Sequence, residues 1–470
     1  MKFNSLAKPL SLIALSTLFT GCASVMQSNQ FDGFEEKLQQ GAINEASSYA
    51  IEQADIDPET GHATDLLWAL QAGNMMRYQK AYTQSNQYFD DAEIIIKKEN
   101  GEGLAKDAAE TTGSLLVNDA ALDYEPTVYD GIMANTYKAL NFMKEGAVQD
   151  ARIEWNRVDE RQRRSAEYFA EEISELRAEQ EQELENGKKG DTTAKRVEQS
   201  LQKSDAILKE QGIDMAQWAP YKNYVNPFST YMHGLFFMLN AQGSSDYNKA
   251  YDSMKRAYGL TNNAAVKTDM NMARSLAQGT SINRFKSTVW VVFENGLSVK
   301  KEEFRIDLPV FLLDNNVKYT GIALPKLVER NAAYPALQIG TFKTNSLADM
   351  DKIIKAEFKE RFPYILAKEL GRATLKTVMQ KQINDQNPMA GLVASAYQLA
   401  STSADIRMWS SLPKEFQLAR LPKTADSLVI KAEGMAVPVE VELGKNSRFD
   451  IVYVKAFSAS QAPEVKVISI

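Results

Sequence analysis

Thr288-Val289-Trp290-Val291-Val292-Phe293-Glu294-Asn295-Gly296 decides how this chain of 470 residues divides. Its first six residues are aromatic or β-branched, and Asn295-Gly296 closes them with a turn signal. Upstream, apolar residues recur at helical spacing; downstream, the pattern shortens to strands. Further runs lie at Glu303–Leu313, Val317–Leu324, Ala336–Phe342, Phe416–Leu421, Ser427–Ala432, Val437–Leu443, Phe449–Phe457 and Val465–Ile470. Pro309, Pro325, Pro413, Pro422, Pro438 and Pro463 fall in or near these runs and mark edges, bends and loops. An antiparallel β-sandwich over residues 281–470 is the economical fold for this pattern. Helices interrupt it over about 346–401, where Ile353, Ile354, Phe358 and Phe362 share one face. The small apolar stretch Pro388–Tyr397 is too short to span a bilayer and is expected to pack over one side of the sandwich.

Residues 31–280 are rich in Ala, Gln, Glu, Lys, Met and Tyr. An apolar residue, two others and then Ala recur at Ile43/Ala46, Tyr78/Ala81, Val148/Ala151 and Tyr247/Ala250. Ala46 and Ala81 are 35 residues apart, and Ala151 follows at twice that interval, a period of stacked helix pairs. The clearest unit runs from Asn135 to Val158. Ala139 and Phe142 lie on its first helix, Gly146 marks the turn, and Ala151, Trp155 and Val158 share the packing face of the second. A second unit carries Tyr247, Ala250, Met254 and Ala257 at matching offsets. This spacing resembles the tetratricopeptide repeat, in which a small residue lets two helices approach and a large one fills the next gap. Arrays of that kind bind segments of other proteins in a concave groove. Between about 161 and 210, charge dominates around a Gly187–Asp191 break, which reads as a solvated helical hairpin projecting from the repeats. The expected class is therefore α+β and multidomain: tetratricopeptide-like helices with a charged hairpin, then a sandwich-like β domain with a helical insertion.

At the N-terminus, Lys2 and Lys8 precede an apolar run from Leu10 to Phe19, and small residues lead to Cys22, the sole cysteine. This is the anatomy of a secretory signal. A cysteine directly after the cleavage point resembles the bacterial lipoprotein signal, which implies cleavage between Gly21 and Cys22 and acylation of the Cys22 thiol. Each buried methylene contributes ~0.8 kcal/mol, so several chains anchor firmly and no other membrane-inserting element is needed. Residues 22–30 then form a tether. Ala23, where an Asp would signal inner-membrane retention, favours the periplasmic face of an outer membrane.

The chain carries 54 basic against 61 acidic side chains, and removal of Lys2 and Lys8 makes it more acidic still. That balance, without a basic stripe, argues against nucleic acid. His62 and His233 are the only histidines, and no HExxH, GxSxG or P-loop string occurs. Asp55-Ile56-Asp57-Pro58-Glu59 begins like a calcium loop but lacks glycine at the sixth position and a carboxylate at the twelfth, where Leu66 stands. A turn is expected there. No catalytic residue, cofactor or metal site is assigned.

Ala404–Trp409, Ser411-Leu412-Pro413 and Leu418–Pro422, together with Tyr137–Phe142, Gly146 and Asp150-Ala151-Arg152, resemble a family of uncharacterised bacterial outer-membrane lipoproteins. Its members have tetratricopeptide-like helices and a β-rich C-terminal part. The resemblance implies envelope biology, near lipoprotein activators of penicillin-binding proteins, and carries no established chemistry. Asp405, Arg407 and Trp409 suggest a buried ion pair capped by an indole. The functional expectation is a non-enzymatic, lipid-anchored adaptor that binds envelope proteins through its repeat groove. The alternatives are a structural subunit that self-associates within an envelope complex and a glycan- or peptidoglycan-processing enzyme.

Overall fold

A computed structural model describes residues 30–102, 122–188, 225–307, 321–386 and 402–470. Its N-terminal part is helical and its C-terminal part strand-rich. Among the described residues nine helices come first: α1 (30–40), α2 (Ile43–Gln53), α3 (Leu66–Tyr78), α4 (Tyr82–Glu102), α5 (Val128–Glu145), α6 (Val148–Lys188), α7 (Pro227–Leu239), α8 (Ser244–Thr261) and α9 (Ala264–Ala277). Their ends follow local chemistry. Asp65 caps α3 by accepting the Trp68 N–H, and Asn226 caps α7, whose first residue is Pro227. Gly146 ends α5 at φ 76°, a left-handed conformation that glycine adopts without a side-chain penalty.

The helices pack as consecutive antiparallel neighbours, α3 on α4, α5 on α6 and α7 on α8. Small residues set the closest approaches. A Cβ on Gly73 of α3 would stand 2.7 Å from the Phe89 ring of α4, and one on Gly234 of α7 would stand 3.1 Å from the Ala250 carbonyl of α8. Ser85, on α4, donates to the Gly73 carbonyl at 2.7 Å. Ala46, Ala139, Ala151, Trp155, Ala250, Met254 and Ala257 are all fully buried; Ala81, just before α4, is half-buried.

The strands are β1 (Thr288–Asn295), β2 (Lys300–Asp307), β3 (Gly321–Val328), β4 (Leu337–Ile339), β5 (Phe342–Lys343) and β6 (Asn345–Asp349). The long helix α10 (Met350–Gln386) follows, then β7 (Glu415–Pro422), β8 (Ser427–Ala432), β9 (Val439–Glu442), β10 (Phe449–Ala456) and β11 (Glu464–Ser469). A five-stranded sheet has the order β11-β10-β1-β7-β6, a four-stranded sheet the order β5-β4-β8-β9, and β2 pairs with β3. One face of the larger sheet, with Trp290, Val292, Phe416, Leu418 and Tyr453, packs on the helices, where Phe228 of α7 stacks on Phe416 at 3.7 Å. The other face, with Val289, Val291, Phe293 and Val452, packs on Leu337, Ile430 and Val441 of the smaller sheet. Helix α10 covers β2 and β3 through Phe358, Phe362 and Leu366.

Several details differ from the sequence expectations. β1 runs parallel to β10, with Thr288 opposite Phe449, so the larger sheet is mixed rather than antiparallel. Every residue of β1 is buried, as expected of a strand covered on both faces; such a run does not announce the direction of its partners. The helical insertion begins at Met350, because Asn345–Asp349 extends the sheet edge beside β7. Residues 161–188, where the first arm of the charged hairpin is expected, are the helical continuation of α6. The remainder of that hairpin, the Pro388–Tyr397 stretch, and Gly21 and Cys22 lie outside the described residues.

Candidate binding cleft

Helix α3 organises the centre of the molecule. Every residue from Leu66 to Arg77 is buried, including the polar Gln71, Asn74 and Arg77, which repeat at one helical face. Gln71 Nε2 donates to Ser410 Oγ at 3.0 Å, and its Oε1 accepts the Ser411 N–H at 3.3 Å. Asn74 Nδ2 donates to the Ser411 carbonyl at 2.9 Å. The segment entering β7 is thus held by side-chain amides, which satisfy backbone groups that no strand pairs.

Arg77 meets Glu294 of β1. Arg77 Nη1 and Lys455 Nζ lie 3.1 and 2.9 Å from its carboxylate, and the Tyr137 and Tyr453 hydroxyls donate to it at 2.8 and 2.7 Å. The guanidinium lies over both tyrosine rings, 4.1 Å from the centroid of Tyr137 and 4.9 Å from that of Tyr453. Burial disfavours the Glu294 charge, yet Lys455, Arg77 and the Tyr453 hydroxyl overcome it and hold the carboxyl at about 2. Burial pushes Lys455 down to about 8 against the pull of Glu294. Lys466 of β11, over the rings of Tyr82 and Tyr453, is driven well below the usual lysine range by burial and by the nearby Arg77. This node joins α3, α5, β1, β10 and β11.

Where α1, the end of α2 and the start of α3 meet, a cleft of about 250 Å³ opens. Phe31 comes from α1, Glu52 from the last turn of α2, and Asp55 from the following loop; Asp65 and Trp68 open α3, and Tyr124 and Arg407 complete the wall. Asp55 and Asp57 belong to a turn, as expected: Asp57 Oδ1 accepts the Glu59 N–H at 2.7 Å, and Asp55 Oδ2 accepts the Thr64 hydroxyl at 2.9 Å. Trp68 is held edge-on by Phe34 and Tyr49, at 5.5 and 5.8 Å. Arg407 is locked in place: its Nε and Nη2 each donate to Asp405 at 2.9 Å, and its Nη1 donates to the Leu122 carbonyl at 2.7 Å. Burial opposes the charge on Asp405, but Arg407 keeps that carboxyl below its usual range. Asp65 has no such ally in contact; burial raises it, against the capping N–H of Trp68 and the more remote Arg407.

The ion pair expected at Asp405 and Arg407 therefore forms and borders the cleft. Trp409 does not cap it. Its ring lies 5.8 Å from Phe89 and 5.9 Å from Tyr137, while its N–H donates to Ser411 Oγ at 3.1 Å. Residues spaced by two in extended chain point to one side, but here the segment turns at Ser410 and the indole is drawn into the helix-facing core. The two histidines lie apart: His62 Nδ1 is 2.6 Å from Asp91, and His233 is buried with its Nδ1 2.9 Å from Ser253 Oγ. The repeat residues pack helices and do not line the cleft. Asp65, Trp68, Arg77, Glu294 and Lys455 were not singled out by sequence. The available signals were the Gln71/Asn74/Arg77 spacing inside an apolar helix and the charges Glu294 and Lys455 inside apolar strands.

Comparison with protein-family models, with curated proteins and with solved structures finds no match to this chain. Among the described residues, no helix is long and apolar enough to cross a membrane.

Proposed function

We propose that this chain is an acylated outer-membrane lipoprotein facing the periplasm, and that it is a non-enzymatic adaptor for envelope proteins. In this reading its helices form tetratricopeptide-like hairpins and its sheets form a sandwich-like domain that orients the bound partner. The observation that carries it is the cleft between α1, α2 and α3, held open on a frame that the Glu294 node fixes to the sheet. A rigid helical frame with a small recess suits recognition of a protein segment. The Gly73–Phe89 and Gly234–Ala250 approaches support the repeat reading, since tetratricopeptide-like pairs need small residues at such points.

Affinity capture from crosslinked cells tests the adaptor reading. One stoichiometric envelope partner is the expected result. Recovery of the chain only with itself, in a ring or sheet, would replace the adaptor by a structural subunit, and alteration of isolated cell-wall material by the purified protein would replace it by an enzyme. The anchor is tested separately. Cys22→Ala should move the protein from the membrane fraction to the soluble periplasm, and its retention on membranes would refute acylation at Cys22.

A further inference from the structure

We propose that a small monovalent anion, of the size and charge of chloride, binds among Arg77, Tyr82 and Lys466, beside the edge strand β11. This goes beyond the adaptor reading and does not depend on it.

Unsatisfied donors come first. Arg77 is 2 % exposed, and only its Nη1 finds an oxygen, on Glu294; its Nε and Nη2 are buried without a hydrogen-bond partner. The Tyr82 hydroxyl, at the start of α4, is buried in the same condition. Burial, with Glu464, pushes that hydroxyl up to about 12, so it stays protonated and able to donate. Lys466 is 4 % exposed, and its Nζ has no hydrogen bond or ion pair among the described residues. It meets only rings, 5.1 Å from the centroid of Tyr82 and 5.0 Å from that of Tyr453, which Arg77 also approaches to 4.9 Å. A ring attracts a cation but offers no lone pair to its N–H groups, and buried donors without an acceptor are costly.

Charge comes second and is independent of that inventory. The node gathers Arg77, Lys80, Lys455 and Lys466 around two carboxylates, Glu294 and Glu464. Glu145 and Lys144, at the end of α5, add one charge of each sign and cancel. Even with Lys466 neutral, the basic groups outnumber the acidic ones. Glu294 is already taken by Arg77, Lys455 and the two tyrosine hydroxyls, and Glu464 lies 3.6 Å from Lys80 at the rim. Burial and then Arg77 drive Lys466 well below the usual lysine range, as befits cations crowded without an anion between them. An ordered water would serve the Tyr82 hydroxyl and the unpartnered Oε1 of Glu464, but it would leave the charge excess in place. A halide accepts from Arg77, Tyr82 and Lys466 together and offsets one positive charge. It is little larger than a water, so no pocket for an organic molecule is required. Access is from the rim, where β11 is an edge strand and the Lys80 side chain is 58 % exposed.

The test uses the full-length protein in detergent micelles, with thermal unfolding followed in sodium chloride, sodium bromide or sodium gluconate at one ionic strength. Gluconate is too large for a site of this size, and equal ionic strength keeps screening the same. Chloride and bromide should raise the unfolding midpoint above that in gluconate with a saturable concentration dependence, as a ligand held only by the folded chain does. Tyr82→Phe removes the hydroxyl and keeps the ring, so it should fold and bind halide about tenfold more weakly, the loss of one hydrogen bond to a charged group. Lys466→Met should abolish the difference between halide and gluconate. In crystals soaked in bromide, an anomalous scattering peak should lie among Arg77, Tyr82 and Lys466. One midpoint in all three salts, a halide response that both variants keep, or bromide found as an adventitious ion only, at surface lysines, would each overturn the proposal.

Discussion

Replacing Glu294 by Gln removes one negative charge from a fully buried site, while keeping the side chain's shape. The carboxylate lies at about 2, against 4.5 for an unperturbed glutamate, so its charge is favoured in the fold by about 2.5 units. At about 1.4 kcal/mol per unit, that is worth about 3 kcal/mol at neutral pH. The substitution also leaves Arg77 and Lys455 buried without a counter-charge, and losing one member of a buried pair typically costs about 3–5 kcal/mol. The sign with pH follows from the lowered value. Stability from Glu294 is complete above about pH 5 and is lost as the pH falls toward 2, because the unfolded glutamate takes up its proton first. Urea unfolding followed by tryptophan fluorescence measures both effects, since Trp290 shares the strand and Trp409 packs on Tyr137. Glu294→Gln should lose about 3 kcal/mol at pH 7 with an unchanged urea slope, and its stability should vary less between pH 5 and 2 than that of the parent. A loss below about 1 kcal/mol, or an unchanged acid dependence, would refute the assignment of Glu294 as the counter-charge of the node. Adding Lys455→Met to this variant should recover part of the loss, because the orphaned ammonium goes with it.

The buried lysines predict the opposite limb. Lys455 and Lys466 are held neutral more readily in the fold than in the unfolded chain, so stability should rise from about pH 8 toward pH 10. Above pH 10 Tyr137 and Tyr453, both raised by burial, should reverse that rise, and Lys466→Met should flatten it; an unaltered alkaline profile in this variant would contradict the lowering of Lys466 by burial. Gly73→Ala gains about 1 kcal/mol of helix propensity but forces a Cβ to 2.7 Å from the fully buried Phe89, and overpacking of this kind costs about 1–3 kcal/mol. The net expectation is destabilisation by about 1 kcal/mol in thermal unfolding, and stabilisation would show that α3 and α4 are free to part.

Local signals made much of the architecture legible. Thr288–Phe293 announced a buried strand, Gly146 a helix end, and Ala250 with Met254 a packing face, because each depends on neighbours within one or two turns. Pairing direction was not legible, since β1 selects β10 and β7 from distant parts of the chain. The ion pair of Asp405 and Arg407 could be read from their spacing, but the placement of Trp409 depended on Phe89 and Tyr137, which arrive from two helices. The cleft was invisible for the same reason. Its carboxylates at Glu52, Asp55 and Asp65 look in sequence like a helix end, a turn and a cap, and only the packing of α1 against α3 turns them toward one space.

The position of β1 between two late strands also sets a timetable. A chain made from its N-terminus presents α3, with Gln71, Asn74 and Arg77, long before Ser410, Ser411, Tyr453 and Lys455 exist to meet them. Loss of the last few dozen residues would strip Glu294 of Tyr453 and Lys455 and remove two neighbouring strands at once. Completion of the C-terminus is thus the checkpoint for the whole fold, and prematurely terminated chains should be surrendered to proteolysis while their helices still display unmatched polar groups.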